Sequence, residues 1–348
     1  MKKRDSIRQP FGPLNVAVSA ALALTMCAPT NDLVSELRVR FDREGLTLVD
    51  WNNEYLELLS FGERMQVYAS YPMPVRQVGS FVIAPTGRAI AVSELDDGVV
   101  QIRDFSGNVL AESKGRLGNC AEWAVSGQLR DIVICGSYVQ HCGDDCSGPR
   151  RIGGIVTMTL PTEHVETVRG FSNEVGEMYR CGQMWWSPDG QQLVYEYDKV
   201  IYVWDTGRKQ SRFLVNGRMP SWSPDGQWIA FRNTDGNLQL ITPEGAFGRV
   251  LYSGGDVGGG VKWSPDGRYI AFGINQYIPP YENSRLMVLR VADGRMAKVT
   301  GYWDREVGGR HMWAYVDFSK TPWMRPGEWH EKQRREREQR ESPVQQER

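Results

Sequence analysis

Trp186-Ser187-Pro188-Asp189-Gly190 is a motif that returns twice in this chain, at residues 222–226 and at residues 263–267. A short apolar run follows each of the three copies. Proline presets the second position of a β-turn, aspartate accepts hydrogen bonds from backbone N–H groups, and glycine takes the left-handed conformation that closes a hairpin. We therefore expect each copy to be a turn between two strands, with a structural rather than a catalytic aspartate.

Two weaker copies precede the three strong ones. Ala84-Pro85-Thr86-Gly87 leads into an apolar run at residues 90–92, and a stretch beginning at Trp123 leads into another at residues 132–134. The five turns begin near residues 84, 124, 187, 223 and 264, so four steps cover 180 residues, about 45 each. Repeats of that length, each with four short strands, are typical of a β-propeller.

The repeat predicts an all-β fold, a six-bladed propeller with four-stranded antiparallel blades. Five blades are expected at residues 79–113, 120–170, 183–215, 219–252 and 259–300. The sixth would combine a strand within residues 311–318 with strand-like runs within residues 34–70, such as 37–41, 46–49 and 55–59. Joining the two ends of the chain in one blade closes the ring and leaves no long exposed strand edge.

The motif, with Ile-Ala-Phe after two of its copies, resembles that of the TolB-like family of propellers. The copy within residues 220–252 matches best, and the resemblance covers about residues 80–300. It concerns the propeller part only and implies a fold rather than a function, because one fold hosts many functions.

Composition and charge restrict the class of protein. The chain has 348 residues with 41 basic and 42 acidic side chains, a net charge of −1. A nucleic-acid partner is not expected, because phosphate binding needs a clustered basic surplus.

The predicted organisation is a targeting segment at residues 1–28, a propeller at 29–324 and a charged tail at 325–348, either disordered or a short helix.

The N-terminus resembles a secretory signal. Lys2, Lys3 and Arg4 precede an uncharged, mostly apolar run at residues 16–26, and Cys27 follows that run. Lipidation of Cys27 would provide the one expected attachment to a membrane, whereas cleavage after Ala23 would release a simple secreted protein. A third interpretation is an N-terminal segment of a cytosolic protein. We expect an exported protein that is periplasmic, on the outer surface or extracellular.

Five further cysteines crowd into 62 residues of the chain. They are disulfide candidates, because crowded cysteines in an exported protein usually pair, although the sequence does not assign the pairs. Zinc bound at residues 141–146 is the alternative, with help from another cysteine. No metal or other cofactor is predicted. The five are Cys120, Cys135, Cys142, Cys146 and Cys181.

No nucleophile elbow, zinc-protease motif or phosphate loop occurs in the sequence. We therefore expect a monomeric, non-catalytic propeller of the cell envelope that binds or scaffolds a protein or other ligand at the loops opposite the motif turns. The predicted loops are 136–149, 170–182 and 275–283, and the candidate binding residues are Tyr138, His141, Asp144, Asp145, Arg180, Tyr277, Tyr281, Glu282, Arg310 and His311. The alternative is a hydrolase or lyase acting on a glycan or peptide in the central channel, with residues 141, 144, 145, 282 and 311 as its candidate cluster.

Overall fold

The computed structural model describes most of the predicted propeller. The described residues are 31–52, 55–59, 67–71, 78–94, 99–140, 150–160, 162, 164–171, 177, 180–278, 281–299, 312–315, 331, 334 and 335. The predicted targeting segment with Cys27, and nearly all of the tail from residue 325 onward, lie outside them.

Helix α1 covers Asn31–Glu44, and 23 strands follow it within the described residues. The strands are β1 Leu46–Asn52, β2 Tyr55–Leu59, β3 Val67–Tyr71, β4 Val78–Ile83, β5 Ala89–Glu94, β6 Val99–Asp104, β7 Val109–Val125, β8 Asp131–Gln140, β9 Arg150–Thr159, β10 His164–Gly170, β11 Cys181–Trp186, β12 Gln192–Tyr197, β13 Val200–Asp205, β14 Gln210–Asn216, β15 Arg218–Trp222, β16 Ile229–Arg232, β17 Leu238–Ile241, β18 Phe247–Tyr252, β19 Val257–Trp263, β20 Tyr269–Ile278, β21 Tyr281–Arg290, β22 Met296–Lys298 and β23 Met312–Tyr315.

The fold is an all-β propeller, but the prediction of six four-stranded blades is wrong. The described strands form five antiparallel sheets, four of them with four strands and one with seven. The seven-stranded sheet contains the described strands of residues 79–113 and 120–170, two stretches that the sequence predicts as separate blades. They form one sheet because β7 continues through 17 residues and pairs with β6 and with β8. The sheet orders are β23-β1-β2-β3, β10-β9-β8-β7-β6-β5-β4, β11-β12-β13-β14, β15-β16-β17-β18 and β19-β20-β21-β22.

The first sheet combines strands from the two ends of the described chain. Strand β23 pairs antiparallel with β1, with Tyr315 opposite Leu46 and Met312 opposite Val49. Two contacts tie β23 to other sheets. The Trp313 indole N–H donates to the Lys262 carbonyl at 3.2 Å, and the Met312 sulfur accepts from a backbone N–H of β4. Closure of the ring as a whole stays a prediction.

Residues 37–41 are helical, which corrects the strand expected there. Leu33 and Leu37 lie one helical turn apart and are almost fully buried in a core cluster with Tyr269 and Trp313. Residues four apart share one face of a helix, so this pair gives α1 an apolar face to pack on the sheets. A short run with alternating apolar residues does not by itself distinguish this arrangement from a strand.

Charged groups fix the polar side of α1 to the β19–β20 hairpin. Arg40 is 7% exposed, pairs with Glu44 and with Asp266, and lies over the Tyr269 ring at 5.4 Å from its centroid. Burial raises the pKa of Asp266, but hydrogen bonds from Ser264 and Arg40 outweigh it and hold that pKa below its usual value. Burial and the bond to the Glu36 carboxylate raise the pKa of Tyr269 to about 12. These contacts anchor the helix at the end of the fold where the motif turns lie.

The three strong motif copies form the same hydrogen-bonded turn. In the first copy the Ser187 hydroxyl donates to the Asp189 carboxylate at 2.6 Å, and that carboxylate accepts from the Gln191 N–H at 3.0 Å. The Ser187 hydroxyl also accepts from the Gln192 N–H at 2.9 Å, and Gly190 has a φ of 72°. The corresponding bonds recur in the other two copies. The predicted structural role of the motif aspartates is confirmed.

Candidate functional site

The strands that lead into the three strong motif turns, β11, β15 and β19, lie side by side. The buried Gln183 amide of β11 donates to the carbonyls of Pro220 in β15 and Val261 in β19, at 2.9 and 2.7 Å. The Trp263 indole N–H donates to the Ser221 carbonyl at 3.1 Å. Because these bonds connect three sheets directly, they hold the three turns together at one end of the fold.

Successive turns also pack on one another. A Cβ added to Gly226 would lie 3.8 Å from the Pro188 ring, and one added to Gly267 would lie 3.7 Å from the Pro224 ring. Both glycines have positive φ, 75° and 71°, where other residues are strained. Each glycine therefore closes its own turn and lies beside the proline of the preceding turn at a distance of ordinary van der Waals contact. The turns after β11, β15 and β19 together form a rigid rim at this end of the fold.

The rim encloses a pocket of about 190 Å³, which we call the turn pocket. Five turns contribute to it, namely those between β4 and β5, β7 and β8, β11 and β12, β15 and β16, and β19 and β20. Four tryptophans and four prolines make up most of its wall. The lining residues are Pro85, Thr86, Gly127, Trp185, Trp186, Pro188, Trp222, Ser223, Pro224, Trp263 and Pro265.

The wall of the turn pocket is apolar and carries no charged side chain. Thr86 and Ser223 supply its hydroxyls, and the Ser223 hydroxyl is already bonded to Asp225 and to the Trp228 N–H. A cation lies close to one tryptophan of the wall. The ammonium of Lys262, a residue only 8% exposed, is 4.8 Å from the centroid of the Trp185 ring. Such a site can hold an apolar group.

The structure describes five of the ten candidate binding residues that were predicted at the end opposite the motif turns. His141, Asp144, Asp145, Arg310 and His311 lie outside the described residues. Arg180 is exposed and lies 3.8 Å from the Asp198 carboxylate. Its position directly before β11 puts it at the end of that strand away from the turn pocket.

The remaining four candidates are in strands, which corrects the loops expected there. Tyr138 lies in β8 opposite Ile152 of β9, so the segment expected as a loop from residue 136 is still paired at that point. Tyr277 of β20 lies opposite Glu282 of β21, and Tyr281 lies opposite Ile278. The predicted loop at 275–283 is therefore mostly a hairpin that extends the sheet.

The sequence did not indicate the turn pocket. The motif was interpreted as turn chemistry alone, and the binding face was expected at the loops of the other end. One signal was present, because every strong copy places a tryptophan and a proline two residues apart at the end of a first strand. These rings form a pocket only if the turns of different sheets meet. Whether the turns meet depends on how the sheets pack, which the motif does not specify.

Cys135 and Cys181, two of the five candidate cysteines, form a disulfide. The bond joins β8 to β11 and therefore fastens the seven-stranded sheet to the sheet that follows it. Cys120 lies in β7 opposite Gly136, whereas Cys142 and Cys146 fall outside the described residues. Within the part of the chain that the structure describes, no three or more histidine, cysteine or acidic side chains are grouped to hold a metal.

Comparisons with known proteins give structural similarity only. No protein-family model matches the chain, and no curated protein matches it. The chain is similar to the crystal structure of TolB from Acinetobacter baumannii, with a TM-score of 0.49 and 18% identity over 77% of this chain and 66% of that one. It is also similar to hydrazine synthase of Kuenenia stuttgartiensis, with a TM-score of 0.41 and 17% identity over 63% and 64%.

The chain thus spans just under two thirds of the length of each of these two structures. The propeller fold rests on the strand pairing of the chain itself. Among the described residues, no helix is both long and apolar enough to cross a membrane.

Proposed function

We propose that this chain is an exported, non-catalytic propeller that binds its ligand in the turn pocket. The turn pocket is the observation that carries the proposal. Binding sites are concave, mostly apolar, largely preformed and lined by aromatic side chains with few polar groups. The turn pocket has each of these properties, and its rim is held by the Ser–Asp hydrogen bonds of the repeated motif.

The apolar wall of the turn pocket supports a ligand-binding role. Side chains in protein interiors usually interdigitate and leave few voids larger than a water molecule. Trp185, Trp222 and Trp263 line the turn pocket, and each of them is more than 90% buried. A group that fills the space would recover the lost dispersion contacts and remove apolar surface from water.

The Cys135–Cys181 disulfide supports export, because such bonds form and persist in oxidising compartments. Lipid attachment at Cys27 stays a prediction. The alternative of an enzyme acting in the central channel stays a prediction, because four of its five candidate residues lie outside the described residues.

Photo-crosslinking tests the proposed function. A photoreactive benzoylphenylalanine at Thr86, which is exposed and lines the turn pocket, should yield specific adducts in the envelope of producing cells. Adducts would be detected on gels and by intact mass, so both protein and small-molecule ligands are visible. Arg208 is the matched control position, because it is exposed on the β13–β14 turn away from the pocket wall. The same adducts from both positions, or none from position 86, would contradict the proposal.

A further inference from the structure

We infer that three cationic side chains at the end of the fold opposite the turn pocket bind the phosphate group of a small soluble ligand. They are Lys199, Arg218 and Arg232, which we call the cationic cluster. The cluster lies where the β11-β12-β13-β14 sheet meets the β15-β16-β17-β18 sheet, and none of its residues lines the turn pocket. It is therefore a second site that does not depend on the proposed function.

A buried carboxylate fixes the position of Arg218. Glu196 of β12 is only 3% exposed, and its carboxylate accepts hydrogen bonds from Arg218 Nε at 2.9 Å and from the Met219 N–H at 2.8 Å. Gly182 of β11 leaves room for this carboxylate, because a Cβ there would lie 2.2 Å from it. Met219 has a φ of 57°, which is strained for a residue other than glycine. These contacts hold Arg218 in one place across two sheets.

A second arginine lies beside the first. Arg218 is the first residue of β15 and Arg232 the last of β16, and the two are directly opposite in the strand register. Opposite residues place their side chains on one face of the sheet, where like charges are destabilising. Within the described residues, the Arg232 guanidinium has no hydrogen bond or ion pair, and the Arg218 guanidinium is bonded only through Nε. Their remaining N–H groups are therefore available to an anion.

The β12–β13 turn brings the third cation to the same place. The Gly217 N–H, directly before Arg218, donates to the Lys199 carbonyl at 3.0 Å. Lys199 is exposed, and its ammonium has no ion pair in the part of the chain that the structure describes. Arg180 borders the cluster, but its charge is balanced by Asp198, whose carboxylate lies 3.8 Å from the Arg180 guanidinium.

The charge of the cluster matches a phosphate monoester. Three positive charges and the one negative charge of Glu196 leave a surplus of 3 − 1 = 2. Asp235, in the β16–β17 turn, does not reduce this surplus directly, because that turn packs on the next sheet through a bond from the Val257 N–H to the Gly236 carbonyl. A phosphate monoester carries about −1.5 to −2 at pH 7, whereas a carboxylate carries one charge. Arginine also bonds phosphate through two parallel N–H groups.

A soluble ligand fits the site better than a lipid headgroup. Binding to a lipid surface combines basic side chains with apolar ones that enter the membrane. No large exposed apolar side chain of the described residues is in the β12–β13 turn, at the start of β15 or at the end of β16. Those side chains are Val39, Val109, Leu110, Phe213, Phe247 and Val250.

The test measures the Kd of the full chain for glycerol 3-phosphate and for acetate by isothermal titration calorimetry at low ionic strength. Glycerol 3-phosphate should bind about ten-fold more tightly or better, because its extra charge and oxygens engage both guanidinium groups. A third arm measures sedimentation of the chain with phosphatidylcholine vesicles that contain phosphatidic acid. Binding to these vesicles without binding of glycerol 3-phosphate would overturn the soluble ligand, and equal Kd values for acetate and glycerol 3-phosphate would overturn the phosphate class.

Three variants connect binding to the cluster. Arg232→Gln should weaken glycerol 3-phosphate binding about ten-fold and leave the melting temperature unchanged, since the Arg232 guanidinium has no bond within the described residues. Lys199→Asn should weaken it too, and asparagine tolerates the φ of 66° at this position. Arg208→Gln is the matched control, because Arg208 is exposed on the β13–β14 turn at the other end of the fold. Equal losses in the Arg232 and Arg208 variants, or no binding to the parent chain, would overturn the inference and leave the crosslinking test at Thr86 unaffected.

Discussion

A chain that ends at Gly309 should fail to fold cooperatively, because it lacks strand β23. That strand pairs with β1 and buries three consecutive side chains, Met312, Trp313 and Ala314. Trp313 also stacks on Tyr269, with 5.9 Å between the ring centroids. Removing a buried tryptophan alone costs about 3–5 kcal/mol, and loss of the methionine and the β1 pairing adds to it. The total approaches the full stability of a typical domain, about 5–15 kcal/mol.

Circular dichroism melts and gel filtration would measure this effect. The matched control is a chain that ends at Lys320, which keeps β23 and still removes the charged tail. A Trp313→Ala variant of the full chain should fold and lose about 3–5 kcal/mol of unfolding free energy in urea. A monomeric, cooperatively melting chain that ends at Gly309 would contradict the assignment of β23 to the first sheet.

Replacing both Cys135 and Cys181 by alanine should lower the free energy of unfolding by about 2–4 kcal/mol. The bond closes a loop with a sequence separation of 46, so its loss gives the unfolded chain more conformational freedom. The bond also joins two sheets whose other described contacts include the Glu166–Lys209 ion pair and the stacking of Arg169 on the Tyr197 ring. Alanine suits the buried site of Cys135 because it adds no unpaired polar group.

Urea unfolding, followed by tryptophan fluorescence, would measure that loss. Cys120→Ala is the matched control, since it leaves the Cys135–Cys181 bond in place. Peptide mapping without reductant should recover residues 135 and 181 in one linked pair. An unchanged midpoint in the double alanine variant, or mapping that links either cysteine elsewhere, would be the contrary result.

The repeat in the sequence was sufficient to predict the propeller and the role of its turns. Serine, aspartate and glycine at fixed offsets determine a local structure, so their bonds around Ser187, Ser223 and Ser264 follow from the sequence alone. The number of sheets did not follow, because continuity of β7 depends on its pairing with strands on both sides. Residues 37–41 were misassigned for a related reason, since only tertiary packing of Leu33 and Leu37 selects the helix.

The binding residues predicted at the end opposite the motif turns stay a prediction, because five of the ten lie outside the described residues. Loop length and polar composition favoured residues 136–149 and 275–283, but residues 136–140 and most of residues 275–283 are paired in strands. The turn pocket arises instead from residues with a clear structural role. Each strong copy of the motif places a tryptophan and a proline at its turn. Because five turns meet at one end of the fold, these rings form the wall of the turn pocket.

The claim that ligands occupy the turn pocket is tested most directly by the indole N–H resonances of a ¹⁵N-labelled chain, assigned by single Trp→Phe variants. Saturation with benzyl alcohol should shift the resonances of Trp185, Trp222 and Trp263, which line the pocket. The resonance of Trp204, which is buried but does not line the turn pocket, should stay in place. A shift confined to Trp204 or to tryptophans outside the turn pocket, with the pocket resonances unmoved, would contradict the account.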